Sequence, residues 1–115
     1  MITVGVGASS GATVEEVLAA IDAVLPEGRT EVQLSTLTKR ALEPGIAGAA
    51  AARNWPLFGH DVDELAAVAV SAPSSLVADA VGTASVAEAA ARLSGGRLIV
   101  GKTVVGRVTV AVAES

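Results

Sequence analysis

Five short stretches of this chain hold residues whose types and spacing could do chemistry. The first is Gly5-Val6-Gly7-Ala8-Ser9-Ser10-Gly11. Its glycines permit tight turns and close ligand approach, and the amides that open a following helix favour an anion. Gly7, Ser9 and Ser10 are therefore candidate binding residues. The glycine spacing is one residue longer than the dinucleotide fingerprint, and no Gly-Lys-Ser/Thr follows, so neither a Rossmann nor a Walker loop is indicated. No acidic residue closes a second strand about 20 residues on, where a ribose contact would need it. The plainer reading is a Gly/Ser turn between a strand and a helix.

The second stretch is Thr36-Leu37-Thr38-Lys39-Arg40-Ala41-Leu42-Glu43-Pro44-Gly45. Lys39 could hold a carboxylate, and Glu43 could orient Lys39 or act as a catalytic base. Structurally, both basic residues could simply be solvated and Glu43 could face a helix N-terminus. The third is Lys102, read as a loop lysine between two apolar strands. The fourth is Gly82-Thr83-Ala84-Ser85-Val86-Ala87-Glu88, where Ser85 and Glu88 form a capping-box pattern. Ser85 also joins the candidate binding residues. The fifth is His60, the single histidine, a possible general base but more simply a surface loop residue. No strained nucleophile elbow supports a Ser-His-Asp triad. A lone histidine without cysteine gives no metal site, so no metal or cofactor is expected.

These residues need elements to position them. Ile2 to Val6 is a short β-type run. Thr13-x-x-Glu16 is a capping box before Val17, Leu18, Ile21, Val24 and Leu25, which share one helix face. Pro26-Glu27-Gly28 ends that helix, and Val32 to Leu37 alternates as a strand. Pro44 suits the first turn of an Ala-rich helix through Arg53. Trp55 to Phe58 is a short extended segment. Asp61-x-x-Glu64 opens a helix through about Val70, Leu76 to Val81 forms a short helix, and Val86 to Leu93 is helical. Leu98 to Val100 and Val104 to Val112 read as a terminal pair of strands. Strands alternating with helices predict an α/β fold: a three-layer αβα domain with a mostly parallel central sheet ending in an antiparallel C-terminal hairpin. In such sheets ligands bind outside the carboxyl ends of the strands. Parallel strands would bring Ser9, Ser10, Lys39 and Lys102 to one rim, suited to a carboxylate-rich ligand.

Composition sets the outer bounds. With 115 residues, 51% hydrophobic and 17% charged, residues 1–115 read as one globular domain. One Trp, one Phe and no Tyr leave the core to Val, Leu, Ile and Ala. The net charge of -4 argues against nucleic acid. No signal peptide or membrane span is read from the sequence, so a cytoplasmic location is expected.

In series, the motifs resemble the cobalamin-biosynthesis family that contains CobE and the C-terminal domain of CbiG. The resemblance is carried by Val4–Glu16, then Thr36, Lys39, Glu43, Pro44 and Gly45. Pro73, Ser74 and Val77, Gly82 with Ser85–Ala91, and Lys102 with Thr109–Ala111 follow in the family's order. The family's first loop commonly carries a Cys-Arg-like pair where this chain has Ala8-Ser9-Ser10; Arg40 or Arg107 could supply the missing charge. The resemblance implies work on the corrin ring of vitamin B12, with a carboxylate-rich precorrin as the small-molecule partner. Two alternatives follow from it. One is a lactone hydrolase acting on cobalt-precorrin-5A with acetaldehyde release. The other is an accessory module that completes a CbiG-like enzyme in trans, with other cobalamin-pathway enzymes as partners.

Overall fold

The computed structural model describes residues 1–8, 11–25, 28, 31–61, 63–64, 83–93 and 97–115. Its first strand, β1 (Ile2–Ala8), alternates aliphatic and small residues. Ile2, Val4 and Val6 point to one face and are buried; Thr3 and Gly5 point to the other. The helix α1 (Val14–Val24) starts where the capping box predicts. Thr13 Oγ1 accepts the Glu16 amide, and Glu16 Oε1 accepts the Thr13 amide, both at 3.1 Å. Two orphan donors of the first turn are satisfied in this way. Val17, Ala20 and Ile21 form its buried stripe.

Next come β2 (Val32–Leu37), a four-residue helix α2 (Thr38–Ala41) and α3 (Pro44–Arg53). Asn54, in the left-handed region at φ 60°, ends α3 and turns the chain into β3 (Leu57–His60). The remaining described elements are α4 (Thr83–Arg92), β4 (Arg97–Val105) and β5 (Val108–Glu114). The sheet order is β3-β2-β1-β5-β4. β1, β2 and β3 are mutually parallel, and β5 runs antiparallel to both β1 and β4. Four strands therefore share one direction, and β5 alone opposes them. This is the predicted mostly parallel sheet with an antiparallel hairpin at its C-terminal end.

The helices fall on opposite faces. Ile2, Val4 and Val6 pack with Val17 and Ile21 of α1 and with Ile46 and Ala49 of α3. On the other face, Ala87 and Ala91 of α4 pack with Ala111 and Ala113 of β5. Glycine at position 5 makes that second layer possible: a Cβ there would lie 1.8 Å from the Ala87 carbonyl oxygen. Gly45 has the same role between helices, since its Cβ would meet the Ala12 carbonyl oxygen at 2.1 Å.

Three expectations change. β4 runs unbroken from Arg97 to Val105, so Lys102 lies within a strand, not in a loop between strands. The pairing with β5 shifts register on both sides of Val100, and an edge strand tolerates such a bulge with an exposed lysine. The hairpin turn comes later, at Gly106-Arg107, with Gly106 at φ 61°. Ser85 is the third residue of α4 and does not precede it. The helices expected through Val70 and over Leu76 to Val81 lie outside the described residues, as do Pro73, Ser74, Val77 and Gly82 of the family motifs. Among the described residues no helix is long and apolar enough to cross a membrane.

Candidate functional site

The strand registers place the carboxyl ends of β1, β2, β3 and β4 along one rim. Ala8 pairs with Val108, Val108 with Val105, and Leu37 with His60. From β1 the chain winds outward through β2 to β3, then crosses the sheet to β4 and β5. The winding changes direction beside β1. In open α/β sheets such a switch point, outside the carboxyl end, is where a crevice forms and ligands bind. The Gly/Ser segment leaving β1 starts there. Ser9 and Ser10 themselves lie outside the described residues; Gly7 is buried in β1, paired with Thr109.

Arg107, in the β4–β5 turn, ties down the far end of this segment. Its Nε donates to Glu16 Oε2 at 3.0 Å, its Nη2 donates to Glu16 Oε1, and Nη2 also reaches the Gly11 carbonyl at 3.2 Å. Gly11 takes φ 91°, a conformation that favours glycine. The Arg107 fork, followed by the Thr13 amide, holds the Glu16 carboxyl down at about 2. The same pairing raises the Arg107 guanidinium above its usual value. Glu16 thus has two duties, capping α1 and anchoring the hairpin turn. The sequence shows only the first. Nothing in local spacing links residues 91 positions apart.

Lys39 opens onto the same rim from α2, immediately after β2, and is exposed. The strand end beneath it is well fixed. Thr36 Oγ1 is buried and donates to the Val6 carbonyl at 2.6 Å, tying β2 to β1. Thr38 Oγ1 donates to Asp61 Oδ1 at 3.3 Å, tying the exit of β2 to that of β3. Gly59 of β3 leaves room for this approach, since its Cβ would sit 3.0 Å from Thr38 Cα.

Glu43 occupies the N-cap position of α3, but its side chain caps nothing. Its Oε1 accepts from Arg40 Nη1 at 3.2 Å. The partner that orients Glu43 is therefore Arg40, where the sequence suggested Lys39. Two helix starts, those of α1 and α3, nonetheless meet beside the rim, because Gly45 packs on Ala12 and Gly48 on Val14.

Lys102 is not brought to the rim. It stands on β4, three strand intervals from β2 and so about 14 Å across the sheet at ~4.8 Å per interval. Its amide donates to Glu88 Oε2 of α4 at 3.1 Å. Glu88 therefore holds the β4 bulge, and Ser85, already inside α4, is not its N-cap. His60 closes β3 as a half-buried strand residue, 3.6 Å from Glu64 Oε2 through Nδ1, and so is not a loop residue. Among the described residues no three His, Asp or Glu side chains come together to hold a metal.

A three-layer α/β fold with Lys39 exposed at the strand-end rim is thus the class that fold and site define. The chain belongs to the CbiG C-terminal family, described as the cobalamin synthesis G C-terminus, whose model matches residues 2–113. Its structure is similar to the crystal structure of the cobalamin biosynthesis protein chiG from Agrobacterium tumefaciens, with 33% identity and a TM-score of 0.76. That match covers 100% of this chain and 98% of the other. It is also similar to the 1.7 Å structure of CobE, a protein from the cobalamin (vitamin B12) biosynthetic pathway, at 26% identity and a TM-score of 0.75. Here 98% of this chain and 89% of CobE are covered. No curated protein matches the chain.

Proposed function

We propose that this cobalamin-synthesis family member binds a carboxylate-rich precorrin at the strand-end rim. Family membership over residues 2–113 is the observation that carries the reading. The rim adds chemical sense to it. Precorrins carry acetate and propionate side chains, and the switch-point rim offers a cation, polar loop groups and helix starts.

In this reading Lys39 holds a peripheral carboxylate. Gly7, Ser9 and Ser10, at and after the end of β1, supply hydrogen bonds. Lys102 and Ser85 contact the ligand only if the macrocycle extends across the sheet toward β4, which makes them the outer part of the site. Glu43 acts through Arg40 in setting the rim's local charge. A role for Glu43 as a base in lactone opening would require it to leave that pairing.

Titration of the purified chain with precorrin intermediates, followed by absorbance, tests the reading. Saturable binding is expected, weakened about tenfold or more in Lys39→Ala by loss of one charge-assisted contact. Absence of a spectral change, or equal binding by Lys39→Ala, overturns it. Acetaldehyde release on incubation with cobalt-precorrin-5A, abolished by Glu43→Gln, would show a hydrolase; binding without release shows a carrier.

A further inference from the structure

On the α4 face, away from the rim lysine, Thr3, Gln33, Ser35, Phe58, His60 and Leu93 line a pocket of about 190 Å³. The strand pattern explains the lining. Gln33 and Ser35 alternate with the core residues Val32 and Leu34, so they face the α4 side. Phe58 stands opposite Ser35, and His60 follows two residues later on the same face. The Gln33 Nε2 donates to Thr3 Oγ1 at 2.9 Å. Phe58 is 45% exposed, unusual for the one phenylalanine of the chain.

One group in this wall is unsatisfied. Ser35 is 2% exposed, and its Oγ has no hydrogen-bond partner. Buried hydroxyls almost always have one, and an exception calls for an explanation. The fold does not need a serine here for packing, because alanine would occupy the same backbone position without an orphaned oxygen.

We infer that this pocket is a binding site for a small, neutral, carbonyl-bearing group with an apolar body, which hydrogen-bonds to Ser35. Size and chemistry narrow the guest. A cavity near 150 Å³ accommodates a benzene ring, so this one takes a ring or short chain with one polar substituent. Among the described residues the lining includes no Lys, Arg, Asp or Glu, and the one titratable side chain among them, His60, already faces the Glu64 carboxylate. A charged guest would enter without a counter-charge, whereas a carbonyl meets a rotatable hydroxyl and a carboxamide. Phe58 and Leu93 supply the apolar walls. Of this lining only His60 stands at the strand-end rim, and the Ser35 test below reads out independently of precorrin binding at Lys39.

Benzamide is a suitable probe, with benzoate as its charged counterpart. In a titration of the full chain followed by amide NMR, benzamide should give saturable shifts at Ser35, Phe58 and His60. Benzoate should bind at least about fivefold more weakly. Ser35→Ala should weaken benzamide by about fivefold, the worth of one neutral hydrogen bond. Without ligand, the same variant should melt at or above the wild-type temperature, because it removes an unpaired buried oxygen. Absence of saturable shifts, equal binding of the two probes, or unchanged binding in Ser35→Ala overturns the assignment. A lower melting temperature in Ser35→Ala also overturns it, since the hydroxyl would then be satisfied internally by bound water.

Discussion

On the face carrying α1 and α3, β1 presents Ile2, Val4 and Val6 to Val17, Ile21 and Ile46. On the face carrying α4, the same strand presents Thr3 and Gly5, and the layer is closed by Ala87, Ala91, Ala111 and Ala113. The first face is filled by side chains meeting side chains. The second is filled by a helix backbone resting almost on a strand backbone. Branched side chains can shift or relax when a neighbour changes; two apposed backbones cannot. The faces should therefore differ sharply in what they tolerate.

Substitutions can test that contrast. Gly5→Ala should have the largest effect, because its Cβ collides with the Ala87 carbonyl. We expect a loss of at least about 4 kcal/mol in urea unfolding, or failure to accumulate folded protein. Ile21→Ala, on the other face, should cost about 3 kcal/mol by removing fully buried methyl groups. If Ile21→Ala proves the costlier, the contrast is wrong. Thr36→Val, at the seam between β1 and β2, should cost about 1 kcal/mol through loss of the hydroxyl bond to Val6.

Arg107→Ala should leave both layers intact and remove a contribution to stability that is present at neutral pH and lost in acid. Glu16 is held at about 2 against an ordinary 4.5, so its contribution is complete above pH 4.5 and is lost progressively as pH falls through 2. The difference in melting temperature between wild type and Arg107→Ala should thus be largest near neutral pH. It should shrink below pH 4.5 and vanish only below pH 2. A constant difference across that window would detach Glu16 from Arg107. Lys39→Ala should have the smallest effect on stability, within about 0.5 kcal/mol, as expected for an exposed residue away from packing.

The same contrast explains what could be read from the chain beforehand. The large-residue face announces itself: Val17, Ile21 and Leu25 keep helical spacing, and Val32 and Leu34 keep strand spacing. Thr13-x-x-Glu16 marked the start of α1 because capping is a local interaction. The small-residue face leaves a fainter trace, since Gly and Ala read as turn or helix formers whatever lies opposite them. Gly101-Lys102 looked like a loop because an edge-strand bulge and a loop share the same residue types. Ser85 and Glu88 had the right spacing for a cap, but Glu88 found a backbone amide on β4, a contact that sequence spacing does not encode. The rim was legible in part. Lys39 and the Gly/Ser segment follow their strands as expected, whereas Arg107 enters only through a contact between distant parts of the chain.

The position of β5 has a consequence for how the chain folds. It is the last described strand in sequence and yet sits between β1 and β4, bonded to both. A ribosome delivers it after every other described element. Until it arrives, β1 has a raw edge and β4 has no neighbour in the sheet. Shortening the chain from this end would not trim a border; it would open the sheet in the middle. Completion of the sheet thus waits on pairing between residues about a hundred positions apart, such as Ile2 with Glu114. Such long-range closure slows folding and exposes an unpaired strand meanwhile.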